Sequence, residues 1–178
     1  MNPLFFLGLL VFLAMPSPAA PSPAGWDKAR FGMSVAEVVR SCPKDKLWIL
    51  KVPLDNQDGT TTLLALDGVE LGGRLFRAWL TFDDRDGTLV KVLLRLVDDR
   101  HADPSLYTFV KCRLGDEMGA PTKESAAAAV DSLWAIWEFP ETVVTLKCVD
   151  KRAYDAKFFS IDYRLRFDKA DAWKAAVQ

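Results

Sequence analysis

Apolar residues along this chain follow two rhythms, a helical spacing in two short stretches and a two-residue alternation over most of the remainder. Ser34 stands three residues before Glu37, the capping-box spacing, and Val35, Val38, Val39 and Cys42 then share one helical face until Pro43 ends it. A second helix begins at the N-cap Asp103 with Pro104 in its first turn. Its stripe is Leu106, Phe109, Val110, Arg113 and Leu114, closed by Gly115 or Gly119 and then Pro121. Strand composition marks residues 47–52, 63–66, 75–82, 89–97, 133–139, 142–149 and 158–167. The turn Asp83-Asp84-Arg85-Asp86-Gly87 joins two of these runs as a β-hairpin, while 126–129, all alanine, fits either helix or loop.

The order helix then strands, twice over, predicts an α+β fold of two tandem helix-plus-antiparallel-sheet repeats, 25–100 and 101–178, with the helices packed on one face of the sheet. Ser41-Cys42-Pro43 matches Gly119-Ala120-Pro121 at the helix ends, and Leu94-Arg95-Leu96 matches Tyr163-Arg164-Leu165 in the last strands. Coincidence is the alternative, because short helix–hairpin units recur in unrelated folds. Residues 1–24 read as a cleavable secretory signal: 4–15 are apolar and uncharged, too short to span a bilayer, and small residues follow at Ser17/Ala19 and Ser22/Ala24. Cleavage is expected after Ala19 or Ala24, with an uncleaved anchor as the alternative. The h-region has no cysteine at its end to carry a lipid, so the expectation is a periplasmic or secreted protein with no stable membrane anchor. A net charge of −1 suggests neither a nucleic-acid partner nor a polybasic membrane attachment.

Ala29-Arg30-Phe31-Gly32-Met33-Ser34-Val35-Ala36-Glu37-Val38 resembles the Phe-Gly-Met-Thr-x-x-Glu-Val opening of β-lactamase-inhibitor-protein-like repeats and of SmpA/OmlA (BamE-like) outer-membrane-assembly domains. The hairpin from Trp79-Leu80-Thr81-Phe82-Asp83-Asp84 to Gly87-Thr88-Leu89-Val90 is similar to the strand–turn–strand that follows the helix there. The resemblance covers the first repeat and extends to the second only by pattern. It implies an exported, non-enzymatic protein that binds other proteins through its sheet and loops. The missing lipid-anchor cysteine argues against the lipoprotein branch.

Catalytic or metal chemistry has few candidates. His101, the one histidine, lies in the polar link Asp98-Asp99-Arg100-His101-Ala102-Asp103 and reads as solvated, without the His/Cys spacing of a metal site. Asp83, Asp84 and Asp86 miss the calcium-loop spacing and read as a turn. No cofactor is expected. Of Cys42, Cys112 and Cys148, an oxidising compartment allows one disulfide, and Cys112 with Cys148 is the preferred pair because Cys148 shares a strand face with Val144 and Leu146; three reduced buried thiols are the alternative.

Strand alternation sorts the remaining side chains. Phe76, Ala78, Leu80, Phe82, Val90, Val92, Leu94 and Leu96 point inward, as do Val144, Leu146, Phe159, Ile161, Tyr163, Leu165 and Phe167. The opposite face collects Arg77, Trp79, Thr81, Lys91, Leu93 and Arg95, then Lys147, Asp162, Arg164 and Arg166, with Trp134 rather than Trp137 as the exposed tryptophan. Trp, Arg and apolar residues together are the composition of interface hot spots, which points to a protein partner with an acidic surface. A plainly solvated sheet face is the alternative, and a small-ligand carrier or a hydrolase is the competing function.

Overall fold

The computed structural model describes residues 22–125, 132–151 and 156–166. The expected secretory signal, residues 1–24, lies outside the described residues except for Ser22 to Ala24, as do 126–131, which hold the alanine run. Two short strands, β1 (Gly25–Trp26) and β2 (Ala29–Arg30), form a hairpin ahead of helix α1 (Val35–Ser41). Gly25 has φ of +142°, and a Cβ there would lie 2.3 Å from the Ala29 carbonyl oxygen, so only glycine lets the hairpin close. The capping box of α1 is complete: the Ser34 N–H donates to Glu37 Oε2 at 2.8 Å and the Glu37 N–H donates to Ser34 Oγ at 3.4 Å. That backbone hydrogen bond holds the Glu37 carboxyl below its ordinary range.

Four strands follow, β3 (Leu47–Asp55), β4 (Thr60–Leu71), β5 (Arg74–Asp83) and β6 (Leu89–Leu96), then helix α2 (Pro104–Met118) and strands β7 (Lys123–Glu124), β8 (Ser132–Glu138), β9 (Thr142–Lys151) and β10 (Ala156–Leu165). The β5–β6 turn consumes its own carboxylates. Asp83 accepts from the Arg85 backbone and guanidinium, and Asp86 accepts from the Thr88 N–H and hydroxyl at 2.9 and 2.7 Å. Helix α2 is capped by Asp103, whose carboxylate accepts from the Leu106 N–H at 2.8 Å. At its other end the indole of Trp137 donates to the Gly119 carbonyl at 2.8 Å and ties β8 to the helix.

All eight strands β3 to β10 form one antiparallel sheet in the order β3-β4-β5-β6-β10-β9-β8-β7. The expected pair of helix-plus-sheet repeats is therefore corrected. β10 pairs with β6 through Ile161 opposite Leu94 and Tyr163 opposite Val92, so the ladder runs through what would have been the border between two units. The helices are also unequal: α1 has seven residues and fully buries only Val38, whereas α2 has fifteen and buries Leu106, Tyr107, Val110, Leu114 and Met118. One core joins them to the inward sheet face, with Phe76 of β5 meeting Phe159 of β10 edge-to-face at 5.7 Å between centroids. The fold is mostly antiparallel sheet, with its two helices as supports.

Both sheet edges are blunted. β7 is only two residues long and is held to α2 by the Lys111 to Glu124 ion pair. The longer edge, β3, leaves Trp48, Ile49, Val52 and Leu54 exposed, but its pairing with β4 breaks between Ile49 and Leu54, where Pro53 lacks an N–H and Lys51 adds a charge that another strand would have to accommodate.

The Cys112–Cys148 disulfide is also corrected, since all three cysteines are free. Cys112 lies two residues from both Val110 and Leu114, on the far side of a 3.6-residue turn, and is exposed, whereas Cys148 faces the core. For the same reason Phe109 is half-exposed and Tyr107, not Phe109, joins the buried stripe. Burial pushes the Cys148 thiol up to about 11 and raises Cys42 as well, so neither forms the reactive thiolate readily. Titration of the native protein with a chromogenic disulfide reagent should detect one thiol and the denatured protein three. A single thiol detected after denaturation without reductant would mean a disulfide that this geometry forbids.

Candidate functional site

Helices cover one face of the sheet, and on the other the register lines outward side chains into rows. One row runs Arg77, Arg95, Ser160, Lys147 and Trp134; the next runs Trp79, Leu93, Asp162, Thr145 and Ile136; the third runs Thr81, Lys91, Arg164, Val143 and Glu138. Neighbours within a row stand about 5 Å apart at Cβ. Alternation thus brings Arg77, Trp79, Lys91, Arg95, Lys147, Arg164 and Trp134 onto one surface. Arg166 is separate: it follows the end of β10, where its guanidinium donates to the Phe139 carbonyl at 3.1 Å and its N–H to Glu141. Trp134 is half-buried on the open face while Trp137 is buried.

The rows set Arg77 opposite Arg95 and Lys91 opposite Arg164, and like charges directly across a ladder repel. Each pair is relieved by a carboxylate. Arg77 turns to Asp67 in a forked contact, Nε to Oδ1 at 2.5 Å and Nη2 to Oδ2 at 3.2 Å, and its guanidinium also lies 5.6 Å from the Trp79 ring centre. Arg95 meets Asp99 at 3.3 Å and lies 5.7 Å from the Phe158 ring centre. Lys91 and Arg164 share Asp162, at 3.9 and 3.8 Å. The surface carries Arg77, Lys91, Arg95, Lys147 and Arg164 against Asp67, Asp99, Asp162 and Glu138, the last already paired with Lys123, so it is positive but not uniformly so.

Between β3 and β6 this face hollows into a groove of about 490 Å³. Arg77, Trp79, Lys91, Leu93 and Arg95 line it together with Leu54 and Thr62 from the neighbouring strands. Leu54 escaped the sequence reading of this face because the bulge in β3 hides its phase; Asp162 lies on the face that alternation gives it, but its burial in mid-sheet follows only from the β6–β10 pairing. Asp99 and Asp162 each keep one buried carboxylate oxygen with no hydrogen-bond partner among the described residues. His101 is exposed, 3.5 Å from Asp98 and outside the groove. Among the described residues no three His, Cys, Asp or Glu side chains stand together as a metal-binding set.

Comparison with protein-family models, curated proteins and solved structures finds no match for this chain. What the surface does must therefore be argued from its own chemistry.

Asp162 is its most constrained group. Burial raises its carboxyl above the ordinary range, against the pull of Lys91, Arg164 and Lys147. The folded protein thus holds this proton more tightly than the unfolded chain does, so stability falls as pH rises from the ordinary carboxylate value through the raised one and is level above it. Asp162→Asn removes that dependence. Its unfolding free energy relative to the parent should increase across the same interval, read from denaturant melts at stepped pH; a constant or decreasing difference would contradict the assignment.

Proposed function

We propose that the protein is an exported, non-enzymatic binding module whose open sheet face holds a segment of another protein carrying acidic side chains beside apolar ones. The observation that carries the reading is the groove itself: Trp79, Leu93 and Leu54 provide apolar contact where Arg77, Lys91 and Arg95 provide charge. Aromatic and arginine side chains in a concave, partly desolvated setting are what concentrates binding energy at protein interfaces. Because each arginine is already held by a carboxylate and an aromatic ring, little side-chain entropy is lost when a partner arrives. The resemblance of the segment 29–38 to families of exported binders agrees with this use of a sheet. Export rests on the N-terminal signal, and cleavage after Ala19 is the better of its two positions. It leaves Ser22 hydrogen-bonded to Thr142 at 2.8 Å and the Ala24 carbonyl accepting from the Phe31 N–H at 2.8 Å, contacts that a cut after Ala24 would remove or loosen.

Selection of a random peptide library on the immobilised protein tests the site. Enriched peptides should place Asp or Glu next to aromatic or branched residues, and Trp79→Ala with Arg95→Ala should lower their affinity by about tenfold or more. Enrichment of neutral or basic peptides, or binding indifferent to those two substitutions, would count against it.

A further inference from the structure

A second concavity of about 520 Å³ lies on the other side of the sheet, bounded by α2, the β1–β2 hairpin and strands β4, β6 and β10. Its size falls within the range of small-molecule sites. Trp26, Val110, Met118 and Ile161 give it apolar walls. One polar group interrupts them: Tyr163 is only 8% exposed, it lines the cavity, and among the described residues its hydroxyl has no hydrogen-bond partner. Its oxygen is not sealed from solvent, so the hydroxyl is open to whatever occupies the cavity. Burial, with the Glu117 carboxylate nearby, keeps that phenol protonated far into alkali, so at neutral pH it can both donate and accept. The rim is acidic. Arg113 is engaged by Glu117 at 3.4 Å, and Asp27 and Glu70 form no ion pair among the described residues.

We infer that this cavity is a separate binding site for a small amphipathic organic cation, whose apolar body lies between Trp26 and Met118 and whose ammonium group meets the Tyr163 hydroxyl and the rim carboxylates. An anion of the same shape would face Asp27, Glu70 and Glu117 and be repelled. A neutral analogue would keep the apolar contact alone. The site is independent of the open-face groove, since none of its lining residues belongs to that surface.

Isothermal titration of the full chain with n-decylammonium, n-decanol and n-decanoate, each below its micellar concentration, tests it. Decylammonium should bind at one site, with decanoate weaker by about tenfold or more. Tyr163→Phe, which preserves the ring and the packing, should weaken decylammonium about fivefold. Met118→Trp should abolish binding by filling the space, and Trp79→Ala on the opposite face should leave it unchanged, which separates this site from the proposed protein-binding groove. Decanoate binding as tightly as decylammonium, no loss in Met118→Trp and Tyr163→Phe, or no binding at all would overturn the inference.

Discussion

The structure depends on one strand pairing, β6 against β10. Without it the chain would hold two smaller sheets, each with a short helix and two open edges, and small units bury too little apolar surface to be stable alone. With it, Phe76, Leu94 and Ile161 belong to one core, and α2 and α1 cover one continuous inner face. The same pairing sets the opposite face in register. Asp162 comes to lie beside Leu93, and Lys91 beside Arg164, only because β10 lies against β6 in that alignment.

This alignment brings cations together and then requires carboxylates to separate them. Sharing of Asp162 by Lys91 and Arg164 is a consequence of the ladder, and so is its burial in mid-sheet. Charged pairs of this kind add little to stability, because removing them from water costs about as much as their attraction returns. Their effect is positional. Arg77 is stacked toward Trp79 and Arg95 toward Phe158, so the groove presents fixed guanidinium groups rather than mobile ones. Fixed donors beside apolar surface are suited to recognition, and the carboxylates keep the patch from attracting any polyanion indiscriminately.

Legibility followed the distance over which each feature is determined. Alternation is local, so the inward set Phe76 to Phe82 and the outward set Arg77, Trp79, Lys91 and Arg95 could be read directly from the sequence, as could the capping box of Ser34 and Glu37. Continuity of the sheet could not, because β6 and β10 are separated by α2 and three strands, and nothing in the composition of either marks its partner. Similar helix–strand order in the two halves then suggested two units where one ladder exists. The error at Cys112 was of another kind: two helical steps from Val110 and two before Leu114 place it away from the core, and its pairing with Cys148 weighed the strand face of Cys148 without the helix face of Cys112. Arg166 was assigned to the binding face by parity, but the strand ends at Leu165, and beyond a strand end parity no longer governs direction.

Native-state hydrogen exchange measures the central pairing most directly. The amides shared by β6 and β10, among them those of Leu94 and Ile161, should exchange only through global unfolding, with the same free energy as the slowest amides of the β5–β6 ladder. Exchange of the β6–β10 amides at a distinctly lower free energy, while β5–β6 and β9–β10 stay protected, would show two units that part from one another and would contradict the single sheet that sets Asp162 between Lys91 and Arg164.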